Sequence, residues 1–123
     1  MHYAILCYND EDVVYSWTKE EDDAVMARLG TVHERLKTAG RLGPAARLLP
    51  TTAATTLRKA TEPFVIDGPF AETKEQLLGF YIVDVESLDE ALAIARDLAA
   101  ANPGGAYELR PVSLYLPDPR TDP

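Results

Sequence analysis

Residues 79–85, GFYIVDV, constrain the fold most strongly. The segment has the length and composition of a β-strand, yet neither parity is polar, because Phe80 and Ile82 alternate with Tyr81, Val83 and Val85. Successive side chains of a strand point to opposite faces of the sheet, so both faces here must leave water. A chain of 123 residues buries one core of its own. Helices can cover one face of its sheet; the other needs a second cover, most simply the same sheet from another subunit. A homodimer is therefore expected.

Residues 2–8, HYAILCY, are apolar on both alternating faces and read as a central strand. Thr18 stands three residues before Glu21, a capping-box spacing. Val25, Leu29, Val32 and Leu36 then recur at helical spacing, with Met26 and His33 on the flank and Gly40 as a stop, which predicts a helix over 19–39. Residues 41–56 show no helical stripe and read as an extended crossover leading into a strand. Two short strands, 55–60 and 64–67, make a hairpin. Ser87 and Glu90 repeat the capping-box spacing, and Ala91, Ile94, Ala95 and Leu98 trace a second amphipathic helix, broken by Asn102-Pro103-Gly104-Gly105. Residues 107–116 give the last strand. The order predicts an α+β fold over 1–116, a ferredoxin-like βαββαβ domain with an inserted β-hairpin. Residues 117–123 form a Pro-rich tail too short and polar to fold alone.

The formal net charge of −8 argues against a nucleic-acid partner, whose affinity comes mainly from neutralised phosphates. No stretch approaches the ~20 apolar residues of a membrane span, and no basic leader precedes the first apolar run, so no membrane partner and a cytoplasmic location are expected. The single cysteine, Cys7, has no disulfide or CxxC partner and reads as packing. Glycine-rich nucleotide loops and a nucleophile elbow are both missing. His2 and His33 lie far apart without a carboxylate pattern, and Asp10-Glu11-Asp12 lacks the alternation of a calcium loop, so no cofactor and no metal are expected. The run Arg28, Arg35, Lys37, Arg41, Arg47, Arg58 and Lys59 faces few acids locally. It either holds an anion or pairs with acids elsewhere in the fold.

Candidate chemistry gathers at Asp67-Gly68-Pro69-Phe70-Ala71-Glu72-Thr73-Lys74-Glu75-Gln76. Asp67 at a strand end, pressed against Phe64 and Phe70, is a candidate for proton transfer if desolvated; equally, its carboxylate can accept the amides of Ala71 or Glu72 in an Asx-type turn. Gly68 permits a backbone conformation that others avoid. Thr73 and Gln76 share the capping-box spacing. Lys74 is an anion-binding candidate, and Tyr81 either points its hydroxyl into the same cleft or packs. His33, beside the apolar stripe, is a general base or a hydrogen-bonded packing residue.

The run DGPFAETKEQLLGFYIVDV, with the opening MHYAILCYND, a helix ending in TAG, the Thr-rich hairpin, SLDEALAIARDLAA and Glu108-Leu109-Arg110-Pro111, resembles the YCII-related proteins of the DGPF subgroup. The resemblance spans residues 1–112. It implies a dimeric α/β barrel of ferredoxin-like protomers, bacterial and soluble, akin to muconolactone-isomerase-type enzymes, with some members beside extracytoplasmic-function sigma factors. It also implies a His–Asp pair, but His33 does not fall at that histidine's register. Leu78 stands where the family often has Gly, and residues 59–63 replace an Asp-Gly turn. The functional expectation is a cofactor-free isomerase or lyase acting on an unknown small molecule. Asp67, assisted by His33, moves a proton, and Tyr8, Lys74, Tyr81 or Arg110 holds the substrate. The alternative is a non-catalytic ligand-binding or regulatory module linked to sigma-factor control.

Overall fold

The computed structural model describes residues 1–117, so the expected tail lies almost wholly outside the described residues. In chain order the elements are β1 (His2–Asn9), α1 (Glu11–Val14), α2 (Lys19–Thr38), β2 (Leu42–Arg47), a 3-10 turn (Thr51–Ala53), β3 (Thr55–Arg58), β4 (Phe64–Asp67), β5 (Gln76–Asp84), α3 (Leu88–Ala101) and β6 (Ala106–Pro111). Strands β2-β5-β1-β6, in that order, form one sheet, and β3-β4 form a separate two-stranded one. Every pairing is antiparallel. With the β3–β4 hairpin set aside, chain order and strand order are compatible with a ferredoxin-like domain.

Helix α2 starts where its side chains satisfy the orphan amides of a first turn. Thr18 Oγ1 accepts from Glu21 N at 3.1 Å while Thr18 N donates to the Glu21 carboxylate at 3.3 Å. It stops at Gly40, whose φ of 71° is left-handed. At α3 only half of the expected box forms: Ser87 Oγ accepts from Glu90 N at 3.2 Å, but the Glu90 carboxylate takes the amide of Glu86 at 3.0 Å, one residue before the cap.

The core lies between the sheet and these two helices. Val25, Leu29, Val32 and Leu36 of α2 and Ala91, Ile94, Ala95 and Leu98 of α3 pack on Tyr3, Ile5, Val83 and Val85. Ile5, Leu98, Val83 and Val85 are fully buried, each such burial being worth ~1.5–3 kcal/mol. The register pairs Ile5 with Tyr81 and Leu109, and Cys7 with Gly79 and Tyr107, so these side chains share the helix face. Ala4, Leu6, Phe80 and Ile82 share the opposite face, which no helix covers.

Three boundaries differ from expectation. Residues 42–47, read as crossover, form edge strand β2. LGPAAR has little β-propensity, and Pro44 is accommodated because it lies on an edge, within the irregular pairing between Leu42 and Ala45. Strand β5 starts at Gln76 because Gln76 and Leu77 pair with Asn9 and Tyr8, a register shift absorbing Leu78. Strand β6 ends at Pro111, which pairs with Tyr3; Val112 N still donates to His2 O at 2.9 Å, but β1 begins at His2, so no β1 residue remains for 113–116 to pair with.

Candidate functional site

A cavity of about 260 Å³ opens between α2, the ends of β1 and β6, and the β2–β5 edge. Its walls are largely apolar and aromatic, among them Trp17, Met26, Leu29 and Tyr107. His33 lies one turn beyond Leu29 on the flank of the buried stripe, so α2 aims its ring past the core into this cleft. Tyr81 sits on β5 opposite Ile5 and Ala45, on the helix face of the sheet. The two meet: His33 Nε2 and Tyr81 Oη are 2.8 Å apart, their rings tilted by 56° at a centroid distance of 5.3 Å.

Burial sets the protonation of this wall. It lowers the His33 pKa from the ordinary 6.5, leaving a neutral imidazole at pH 7. It pushes Tyr81 up to about 12, with a smaller contribution from Cys7. The Cys7 thiol, lining the same cleft, is likewise pushed up to about 12 by burial, which makes it a packing group and not a nucleophile. Tyr107 is raised further still, by burial first and then by Cys7 and Tyr81.

The His33 shift has a measurable consequence. Because the folded pKa lies below 6.5, the unfolded chain takes up its proton first as the pH falls. The stability is therefore full above 6.5 and is lost as the pH drops toward the folded value. Urea denaturation at about pH 7.5 and pH 5.5 should show a loss on acidification that is smaller in His33→Gln than in the natural protein. Equal losses would contradict a buried, neutral His33.

The loop after β4 lines a second cavity of about 400 Å³, a polar one bounded by Glu11, Thr51, Asp67, Gly68, Glu72, Thr73 and Gln76. Asp67 is exposed, and among the described residues its carboxylate accepts no amide, so the expected Asx turn to Ala71 or Glu72 does not form. Other bonds fasten the loop: Gly68 N donates to Ala54 O at 2.8 Å and Thr56 Oγ1 donates to Gly68 O at 2.8 Å. Gly68 holds a φ of 114°, where a side chain would be strained. Thr73 and Gln76 cap no helix. The Thr73 hydroxyl bonds Glu75 O, and Gln76 bridges, donating to Thr73 O at 2.6 Å and accepting from Glu11 N at 2.9 Å. The Glu11 carboxylate in turn accepts Thr51 N at 3.0 Å and the Thr51 hydroxyl.

Tyr8, His33 and Tyr81 thus share the apolar cleft, whereas Asp67 lines the polar cavity. Lys74, exposed, and Arg110, on β6 with Nε 2.8 Å from Glu108, line neither. Much of the basic run takes the pairing alternative: Arg35 meets Asp97 at 3.0 Å, Arg41 meets Glu90 at 2.8 Å and Arg47 meets Asp22 at 3.3 Å. Trp17, Asn102 and Tyr107 line the cleft without having stood out as site residues. One signal was available for Asn102, which falls four residues after Leu98 and so continues the buried stripe of α3 with a polar group. Among the described residues, no group of three or more His, Cys, Asp or Glu is assembled to hold a metal ion, and no helix is long and apolar enough to cross a membrane.

Fold and cleft together define an α+β sheet protein with a ligand-sized apolar cleft walled by one amphipathic helix. The model of the YCII-related domain matches residues 1–115, and the chain belongs to the YCII-related family. It is also 63% identical over 119 residues to an uncharacterized protein of Rhizobium meliloti (strain 1021), covering 95% of this chain and 96% of that protein.

Proposed function

We propose that the protein binds a small molecule in the apolar cleft and acts on it as a cofactor-free isomerase or lyase, with His33 and Tyr81 moving the proton. The observation that carries this is the 2.8 Å bond between His33 Nε2 and Tyr81 Oη at the cleft wall. With Nε2 as acceptor, the Tyr81 oxygen takes a proton from a substrate carbon acid as its own proton passes to His33. The resulting imidazolium and neutral phenol hold that proton until it returns, to a neighbouring atom in an isomerisation or to a leaving group in an elimination. Tyr8, which also lines the cleft, remains the substrate-holding candidate. Asp67, exposed in a separate polar cavity, is left out of the chemistry, and the acid–base pair is His33–Tyr81 in place of Asp67–His33.

In the same reading a second copy of the chain covers the sheet face of Ala4, Leu6, Phe80 and Ile82, giving a dimeric barrel. Exposed apolar side chains on β4 and the loop after it support a covering partner, since Val65 and Phe70 are 69% and 70% exposed in the protomer.

A metabolite-library thermal-shift screen on the natural protein, Tyr81→Phe and Asp67→Asn tests the site. Hits should lose their shift in Tyr81→Phe and keep it in Asp67→Asn; the reverse pattern would move the site to the polar cavity. Hits incubated in heavy water should gain deuterium at a rate lower by roughly 100-fold in His33→Gln. Binding without any exchange in the natural protein would favour the non-catalytic module instead.

A further inference from the structure

We infer that the cleft takes an uncharged carbonyl compound whose oxygen accepts a hydrogen bond from the Tyr107 hydroxyl, on the far side of β1 from Tyr81. This rests on the reading of the apolar cleft as the site of proton transfer.

The chemistry sets the requirement. When Tyr81 Oη takes the C–H proton and its own proton passes to His33 Nε2, the C–H electron pair stays on the substrate. An adjacent carbonyl receives that pair as an enolate oxygen, and a donor aimed at this oxygen lowers the barrier. No free cation serves. The charged side chains lining the cleft are Asp22 and Arg47, and both terminal nitrogens of Arg47 lie 3.3 Å from Asp22 Oδ1. A carboxylate or phosphate on the ligand would meet the same lack, at a large desolvation cost. The ligand is therefore uncharged and the donor neutral.

Tyr107 meets the requirement by position. Cys7 on β1 pairs with Gly79 of β5 and with Tyr107 of β6, while Ile5 pairs with Tyr81. Tyr81 and Tyr107 thus flank β1 on the helix face of the sheet, their Cα atoms ~12 Å apart from strand spacing and rise, and both line the cleft.

Its proton is also uncommitted. Asn102 Oδ1 has no hydrogen-bond partner, so it does not take the Tyr107 proton. The Asn102 side chain instead hydrogen-bonds in the sense that favours the phenolate, as an amide NH2 donating to the phenol oxygen does. The O–H remains to donate elsewhere. Among the described residues Asn102 Oδ1 is the one buried side-chain polar atom without a partner, so Tyr107 Oη stays open to the cleft. Burial, with Cys7 and Tyr81 adding in the same direction, keeps Tyr107 protonated. The step then balances: the carbon's proton ends on the Tyr81–His33 pair, the electron pair ends on the carbonyl oxygen, and Tyr107 keeps its proton while bonding that oxygen.

Trp17, the single tryptophan, lines the cleft and reports occupancy by fluorescence. The probes are 2-tetralone, an uncharged ring ketone with acidic C–H bonds beside its carbonyl, tetralin, which lacks the oxygen, and the 2-naphthoate anion. In Tyr107→Phe the preference for 2-tetralone over tetralin should fall roughly fivefold. Deuterium exchange at carbon 1 in heavy water should lose on the order of 100-fold in kcat, with KM rising by no more than about fivefold. In the natural protein the carbonyl 13C resonance of bound 2-tetralone should stay at or downfield of its value in water, and 2-naphthoate should bind more weakly than the ketone. Three results would overturn the inference while leaving the cleft as the site: an unchanged preference in Tyr107→Phe, a bound carbonyl resonance moved upfield toward its value in hydrocarbon, or 2-naphthoate as tight as 2-tetralone. Binding without exchange in the natural protein would contradict the proton transfer, and the tetralin comparison would still decide the Tyr107 contact. No saturable Trp17 change with either neutral probe would remove the cleft as the binding site and the inference with it. The carbonyl resonance needs only the natural protein, so it decides even if Tyr107→Phe fails to fold.

Discussion

Leu6→Lys is expected to turn the proposed dimer into a folded monomer. Leu6 lies in the middle of β1, opposite Phe80 on one side and Glu108 on the other, on the sheet face away from the helices. In a lone protomer the new ammonium stays in water with Glu108 close by, so the fold should survive with unchanged far-UV circular dichroism. Across a two-fold interface it is buried twice, and desolvating an unpaired charge costs several kcal/mol. The dissociation constant should rise by roughly a thousandfold or more. Sedimentation equilibrium distinguishes the outcomes. A natural protein already monomeric, or a Leu6→Lys protein still dimeric, would show that this face is not the interface.

Gly79→Ala should be a severely damaging single-methyl change at the cleft wall. Gly79 is buried on β5, and a Cβ built there meets the carbonyl oxygen of Ala46 and lies 3.3 Å from the Cα of Arg47. Both are backbone atoms of β2, so no side-chain rotation relieves the clash. The edge strand must move, and Ala45, Ala46 and Arg47 are part of the cleft wall. Overpacking of this kind costs about 2 kcal/mol, or roughly 8 °C in Tm for a domain of this size, and ligand binding should weaken in parallel. Gly30→Ala provides the contrast. Its Cβ would meet nothing within 4 Å, in the middle of α2, and replacing a helical glycine should raise stability by up to about 1 kcal/mol. If Gly79→Ala were as benign as Gly30→Ala, β2 would not be packed on β5 as described.

The helices were legible because their signals are local. Thr18 and Glu21 specify one start, and the stripe of Val25, Leu29, Val32 and Leu36 specifies the buried face without reference to anything distant. Strand β2 was not legible, because what makes LGPAAR a strand is the neighbouring edge of β5, and its own residues argue for a loop. The site divided in the same way. His33 and Tyr81 were each visible as candidates, but the 2.8 Å contact between them joins residues far apart in sequence and depends on where α2 crosses the sheet. The conspicuous loop around Asp67 drew attention through composition, while much of its polarity is spent on local fastening: Gln76 to Thr73 and Glu11, and Thr56 to Gly68. Asn102 was hidden for the opposite reason, since before Pro103 it reads as a helix breaker and its buried oxygen appears only once α3 is docked.

The most direct test of the His33–Tyr81 cleft as the functional site is a two-dimensional amide NMR titration with the strongest hit of the metabolite screen. Saturable shifts should cluster at Cys7, Trp17, Met26, His33, Ala46 and Tyr81, the residues around the apolar cavity. Shifts confined to Glu11, Thr51, Asp67, Gly68 and Glu72 would place the ligand in the polar cavity and contradict that assignment.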